Sequence, residues 1–106
     1  MILQKLLLFG GKNIMLESRL VKKLSDYCKK KDIFYLNIID TNKPGIPDSL
    51  LITREGRYIW LELKREDRSG RVSPLQTYRH SEMRGYKAEV YVVSSMDEIK
   101  RIINDE

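Results

Sequence analysis

At 106 residues, 42% hydrophobic and 33% charged, the chain has the length of one domain and a globular rather than disordered composition. A net charge of +5 permits a polyanionic partner without requiring one. The single Cys28 excludes an internal disulfide and favours a reducing, cytoplasmic setting (a host cell's, if the protein is viral), and no apolar run approaches the ~20 residues of a membrane span.

Residues 1–14 read as an apolar N-terminal extension, and residues 15–106 as the domain proper. Ile2-Leu3 and Leu6-Leu7-Leu8-Phe9 are apolar, but Lys5 interrupts them and Gly10-Gly11 ends them. No small-residue cleavage site follows, which argues against a secretory leader. The extension is expected to pack on the body or on a second subunit; a start at Met15 is the alternative.

Asn13 can cap a helix beginning at Ile14. Leu16, Leu20, Val21, Leu24, Tyr27 and Cys28 share one arc of that helix and the lysines the other, so Cys28 reads as core. Glu17 lands within the apolar arc, where a carboxylate is costly unless it is paired or ligates a cation. The plainer reading is a first-turn glutamate that favours the helix dipole and reaches solvent. Lys29-Lys30-Lys31-Asp32 ends the helix, and residues 33–39 are rich in strand formers. Residues 40–47 form a loop stiffened by two prolines, with Gly45 between them.

A second strand is expected over 49–53, the Arg54-Glu55-Gly56-Arg57 turn follows, and a third strand covers 58–64. The near-continuous apolar character of that third strand suits a central position. A charged loop over 65–72 carries Arg65, Arg68 and Arg71. Ser73 then caps, and Pro74 opens, a helix that stops at Gly85. Residues 88–93 form a fourth strand. Ser95 and Glu98 have capping-box spacing, and Ile99, Ile102 and Ile103 give the last helix its buried face. The order helix, three strands, helix, strand, helix favours an α/β sandwich around a mixed sheet of four strands.

The chemistry concentrates around the third strand. Side chains two apart on a strand point the same way, so Glu62 and Lys64 project together while Ile59, Leu61 and Leu63 face the other side. If the second and third strands are neighbours, Asp48 meets Glu62 near the end of the sheet. Two converging carboxylates beside a lysine make a cradle for a hard divalent cation and a phosphate. Each residue also has an ordinary explanation: Pro47-Asp48 as a turn, Glu62 and Lys64 as a same-face ion pair. Arg65, Arg68 and Arg71 are either a solvated loop or, directly after Glu-x-Lys, contacts for DNA phosphates, with Lys43 and Arg79 as further DNA-binding candidates. His80 is the only histidine, supports neither a zinc cluster nor a Ser-His-Asp set, and is expected on the helix surface.

Gly45-Ile46-Pro47-Asp48, Glu62-Leu63-Lys64 and Ser73-Pro74-Leu75-Gln76 together resemble the virus-type replication-repair nuclease (VRR-NUC) domain of the PD-(D/E)xK nuclease superfamily. The resemblance covers about residues 16–93. It implies a restriction-endonuclease-like core in the order αβββαβα, with Glu17, Asp48, Glu62 and the Leu63 carbonyl holding Mg²⁺ or Mn²⁺. It further implies that Lys64 orients or deprotonates the attacking water and that Gln76 supports the site. The expected protein is a metal-dependent DNA endonuclease acting on branched DNA as a homodimer. A non-catalytic basic nucleic-acid-binding module of the same fold is the alternative, against which the intact carboxylate and lysine set argues.

Overall fold

The computed structural model describes residues 12–65 and 72–105, with side chains from residue 19 onward. Residues 1–11 of the expected 1–14 extension and the expected DNA contacts Arg68 and Arg71 lie outside the described residues, as does the side chain of Glu17. Among the described residues three helices and four strands follow in the order α1 (Lys12–Lys31), β1 (Phe34–Asn37), β2 (Ser49–Ile52), β3 (Tyr58–Leu63), α2 (Pro74–Gly85), β4 (Glu89–Val93) and α3 (Met96–Asn104). The sheet runs β1-β2-β3-β4, antiparallel at the first two pairings and parallel at the last. A parallel pair needs a crossover, and α2 supplies it.

β3 is central, as its apolar run implies. Ile59, Leu61 and Leu63 point to one face, where they join Leu51 and Val93 under Leu20, Leu24 and Cys28 of α1 and Ile99 of α3. Each such side chain contributes about 1.5–3 kcal/mol when taken from water. Truncating Leu61 to alanine would cost about 2–5 kcal/mol through the cavity left behind. On the opposite face Leu50, Trp60 and Val90 stand in one row across three strands, and α2 lies over them with His80 buried.

Element ends differ from the sequence expectation in an instructive way. α1 starts at Lys12, so Asn13 lies inside it and is not its cap. At its other end Asp32 adopts a left-handed φ of 58°, and the Ile33 amide turns back to the Cys28 carbonyl at 2.8 Å. That closure withdraws Ile33 from β1. The opposite end of β1 still touches the ladder, since the Ile38 amide donates to the Asp48 carbonyl at 2.6 Å. Ser73 and Ser95 cap α2 and α3 as their spacing indicates.

Candidate active site

Asp48 is the last residue before β2, and Glu62 is the penultimate residue of β3. The register pairs Ser49 with Leu61, so the next step outward sets Asp48 opposite Glu62. The Leu63 amide donates to both Asp48 carboxylate oxygens, at 3.2 and 3.3 Å, and the Ser49 hydroxyl donates to Oδ1 at 3.1 Å. Backbone and neighbour together fix the carboxylate at the sheet end.

The Glu62 side chain is only 6% exposed. Its Oε2 accepts from Gln76 Nε2 at 3.0 Å and lies 3.4 Å from Lys64 Nζ, whose side chain is 15% exposed. Its Oε1 is buried without a hydrogen-bond partner. Burial pushes the Glu62 carboxyl above the usual range, while Lys64, Gln76 and the Asp48 backbone amide pull the other way. A buried carboxylate oxygen without a donor is costly in isolation, and a cation at that oxygen would remove the cost.

Gln76 links this acid to the start of α2. The Ser73 hydroxyl accepts the Gln76 amide at 3.1 Å, and Gln76 Oε1 accepts the Ser73 amide at 3.0 Å, which closes a capping box. The same Oε1 lies 3.4 Å from Lys64 Nζ. The Ser-Pro-x-Gln spacing is therefore a helix start whose third residue turns toward β3.

Hard oxygens from Asp48 and Glu62, one of them unsatisfied, suit Mg²⁺ or Mn²⁺ better than a soft metal. Among the described residues no three His, Cys, Asp or Glu side chains gather as a ready metal cluster. The third carboxylate expected from α1, Glu17, belongs to a side chain outside those residues.

A comparison with solved structures aligns this fold with a "VRR_NUC domain" at a TM-score of 0.72 and 25% sequence identity, covering 83% of this chain and 94% of that one. The chain folds as a VRR-NUC domain. It has the mixed four-stranded sheet and flanking helices that the sequence motifs imply, which is a nuclease fold. No protein-family model matches the sequence, and no curated protein does.

The basic residues around this VRR-NUC-like site occupy different settings. Lys43 is exposed on the loop that leads to Asp48, and Arg65 is half-buried just past β3. Arg79 is engaged inside the protein: Nε donates to the Pro44 carbonyl at 3.0 Å and Nη1 pairs with Glu82 at 2.6 Å. His80 corrects the surface assignment made from the sequence. It is 2% exposed, on the inward face of α2, and its Nε2 has no hydrogen-bond partner. Burial first, then the positive charges of Arg84 and Lys64, hold its pKa below the usual histidine value. The available signal was its position four residues after Gln76, on the same helix face. Cys28 is buried, as its arc on α1 implies. No helix among the described residues is long and apolar enough to cross a membrane.

Proposed function

We propose that the protein is a metal-dependent endonuclease that hydrolyses phosphodiester bonds in DNA. The observation that carries this reading is the buried, donorless Glu62 Oε1 beside Asp48 and Lys64 in a VRR-NUC fold. Asp48, Glu62 and the Leu63 carbonyl, joined by Glu17 from α1, are the expected ligands of Mg²⁺ or Mn²⁺. Such an ion, when bound, neutralises charge at the scissile phosphate and acidifies water. Lys64, held 3.4 Å from Glu62 Oε2, orients the attacking water or takes its proton. Gln76 keeps the acid and the lysine in register. Lys43 and Arg65, with Arg68 and Arg71, are assigned to backbone phosphates.

Branched DNA is the proposed substrate and a homodimer the proposed assembly, because one small domain offers one site while a two-fold junction presents two strands to cut. Purified protein is incubated with labelled duplex, forked and four-way DNA in Mg²⁺, Mn²⁺ or EDTA. Cutting is expected with either ion, favouring four-way DNA, and none is expected in EDTA or with Asp48→Ala or Glu62→Ala. Undiminished cutting in EDTA, or by either variant, would sink the mechanism. Light scattering tests the assembly: twice the 12.5 kDa chain mass is expected, and the mass of one chain would refute it. Replacing Lys43, Arg65, Arg68 and Arg71 by alanine should flatten the dependence of log affinity on log salt.

A further inference from the structure

Arg79 sits on α2 one turn below Gln76, with a side chain only 13% exposed. Its Nε holds the Pro44 carbonyl and its Nη1 holds Glu82. The residue after Pro44 is Gly45, at a left-handed φ of 86°. A Cβ there would stand 2.9 Å from the Leu75 carbonyl oxygen and 3.1 Å from Arg79 Cβ, so the loop backbone lies directly on α2. Three residues later the same loop delivers Asp48. The start of α2 meanwhile carries Gln76, bonded to Glu62 on β3. One helix thus references both halves of the site: Gln76 holds the acid of the sheet, and Arg79 holds the loop that brings the other acid to it.

We propose that Arg79 is a positioning residue for Asp48, latching the 40–48 loop to α2, and that it is not a contact for DNA phosphate. The functional consequence rests on the nuclease reading above; the structural one does not. Arginine suits the task because its planar fork can serve a carbonyl and a carboxylate at fixed angles at once. Glu82 also cancels the charge that a phosphate contact would need. A small hard cation such as Mg²⁺ demands near-ideal octahedral geometry, with ligands at about 2.0–2.1 Å, so a loosened loop degrades the site without touching the ligands themselves.

Two independent changes open the latch, Arg79→Gln by removing the donor and Gly45→Ala by inserting a methyl group against α2. Circular dichroism establishes that each variant is folded. Hydrogen–deuterium exchange across residues 38–48 then reads the loop, calorimetric titration with Mn²⁺ reads the site, and steady-state cleavage separates kcat from KM. Both variants should exchange faster in that segment than the wild type, bind Mn²⁺ about tenfold more weakly and lose kcat more than KM. The salt dependence of metal-free DNA binding should stay unchanged in Arg79→Gln, whereas loss of a phosphate contact lowers its slope by about one. Wild-type exchange in the loop of both variants, or a lowered salt slope with unchanged exchange, would overturn the latch. A wild-type protein that neither binds Mn²⁺ nor cuts DNA would instead overturn the nuclease reading, and the exchange data would still decide the latch.

Discussion

Gln76 Nε2 donates to Glu62 Oε2 at 3.0 Å, while the Oε1 of the same amide accepts the Ser73 backbone N–H at 3.0 Å. One side chain therefore joins the start of α2 to the buried acid of β3. Gln76→Ala removes both contacts but leaves the Ser73 hydroxyl on the backbone amide of residue 76, so the cap itself stays. Each lost hydrogen bond contributes about 1 kcal/mol, which for a domain of this size corresponds to about 4–8 °C in Tm. Gln76→Glu retains a capping acceptor but replaces the donor with a second carboxylate against Glu62. Thermal melts and cleavage assays should therefore separate the roles, with stability lost mainly in the alanine variant and cleavage in both. Wild-type Tm and turnover in Gln76→Ala would show that the amide serves neither.

Lys64 lies 3.4 Å from Glu62 Oε2 and is not a ligand type for a hard cation. Lys64→Ala is expected to lose cleavage while still binding Mn²⁺ in a calorimetric titration. Without the lysine, a bound cation becomes the main countercharge for the buried Glu62, so added Mn²⁺ should raise Tm more in the variant than in the wild type. Turnover at the wild-type rate in the variant would remove Lys64 from the mechanism.

The parts of this fold that sequence patterning reaches are those with an apolar period. Ile59, Leu61 and Leu63 alternate with Trp60 and Glu62, which identifies β3, its two faces and its central place. Once β2 and β3 are neighbours, the pairing of Asp48 with Glu62 follows from register. α2 is less legible because its inward face is polar: Gln76 and His80 turn toward the sheet, and Arg79 toward the loop. Hydrophobic periodicity therefore carries no information about which of them is buried. The Arg79 contact to Pro44 spans 35 residues and leaves no local trace. β1 starts one residue later than its strand-forming composition suggests because the closing turn of α1 takes Ile33.

Cys28 is 1% exposed, and burial pushes its thiol up to about 11. The thiolate is the reactive form, so at pH 8 the folded protein should react with an aromatic disulfide reagent far more slowly than the unfolded chain. Reaction of the single thiol should follow unfolding and appear abruptly in denaturant. Rapid stoichiometric reaction of the native protein would mean that α1 opens from the core on the timescale of the assay.

Arg57 and Glu89 form a two-pronged pair at the far end of the sheet, with Nε–Oε2 and Nη2–Oε1 both at 2.7 Å. Arg57 Nη1 also donates to the Ile103 carbonyl at 3.2 Å, which ties the hairpin turn to the end of α3, and the Tyr91 hydroxyl donates to Glu89 at 2.8 Å. Both charged side chains are partly exposed, at 26% and 31%, so the pair contributes about 1 kcal/mol. Hydrogen bonding to Arg57 holds the Glu89 carboxyl below the usual range. A carboxylate with a depressed folded pKa contributes stability that is fully present above its unfolded pKa of about 4.3 and is lost as pH falls through the folded value. Glu89→Gln lacks that titration. The stability difference between wild type and variant, from urea unfolding, should therefore be constant from pH 8 to about 5 and shrink toward zero below about 4. A gap that persisted undiminished at pH 3 would mean that packing around the Glu89 side chain, and not its charge, secures this corner.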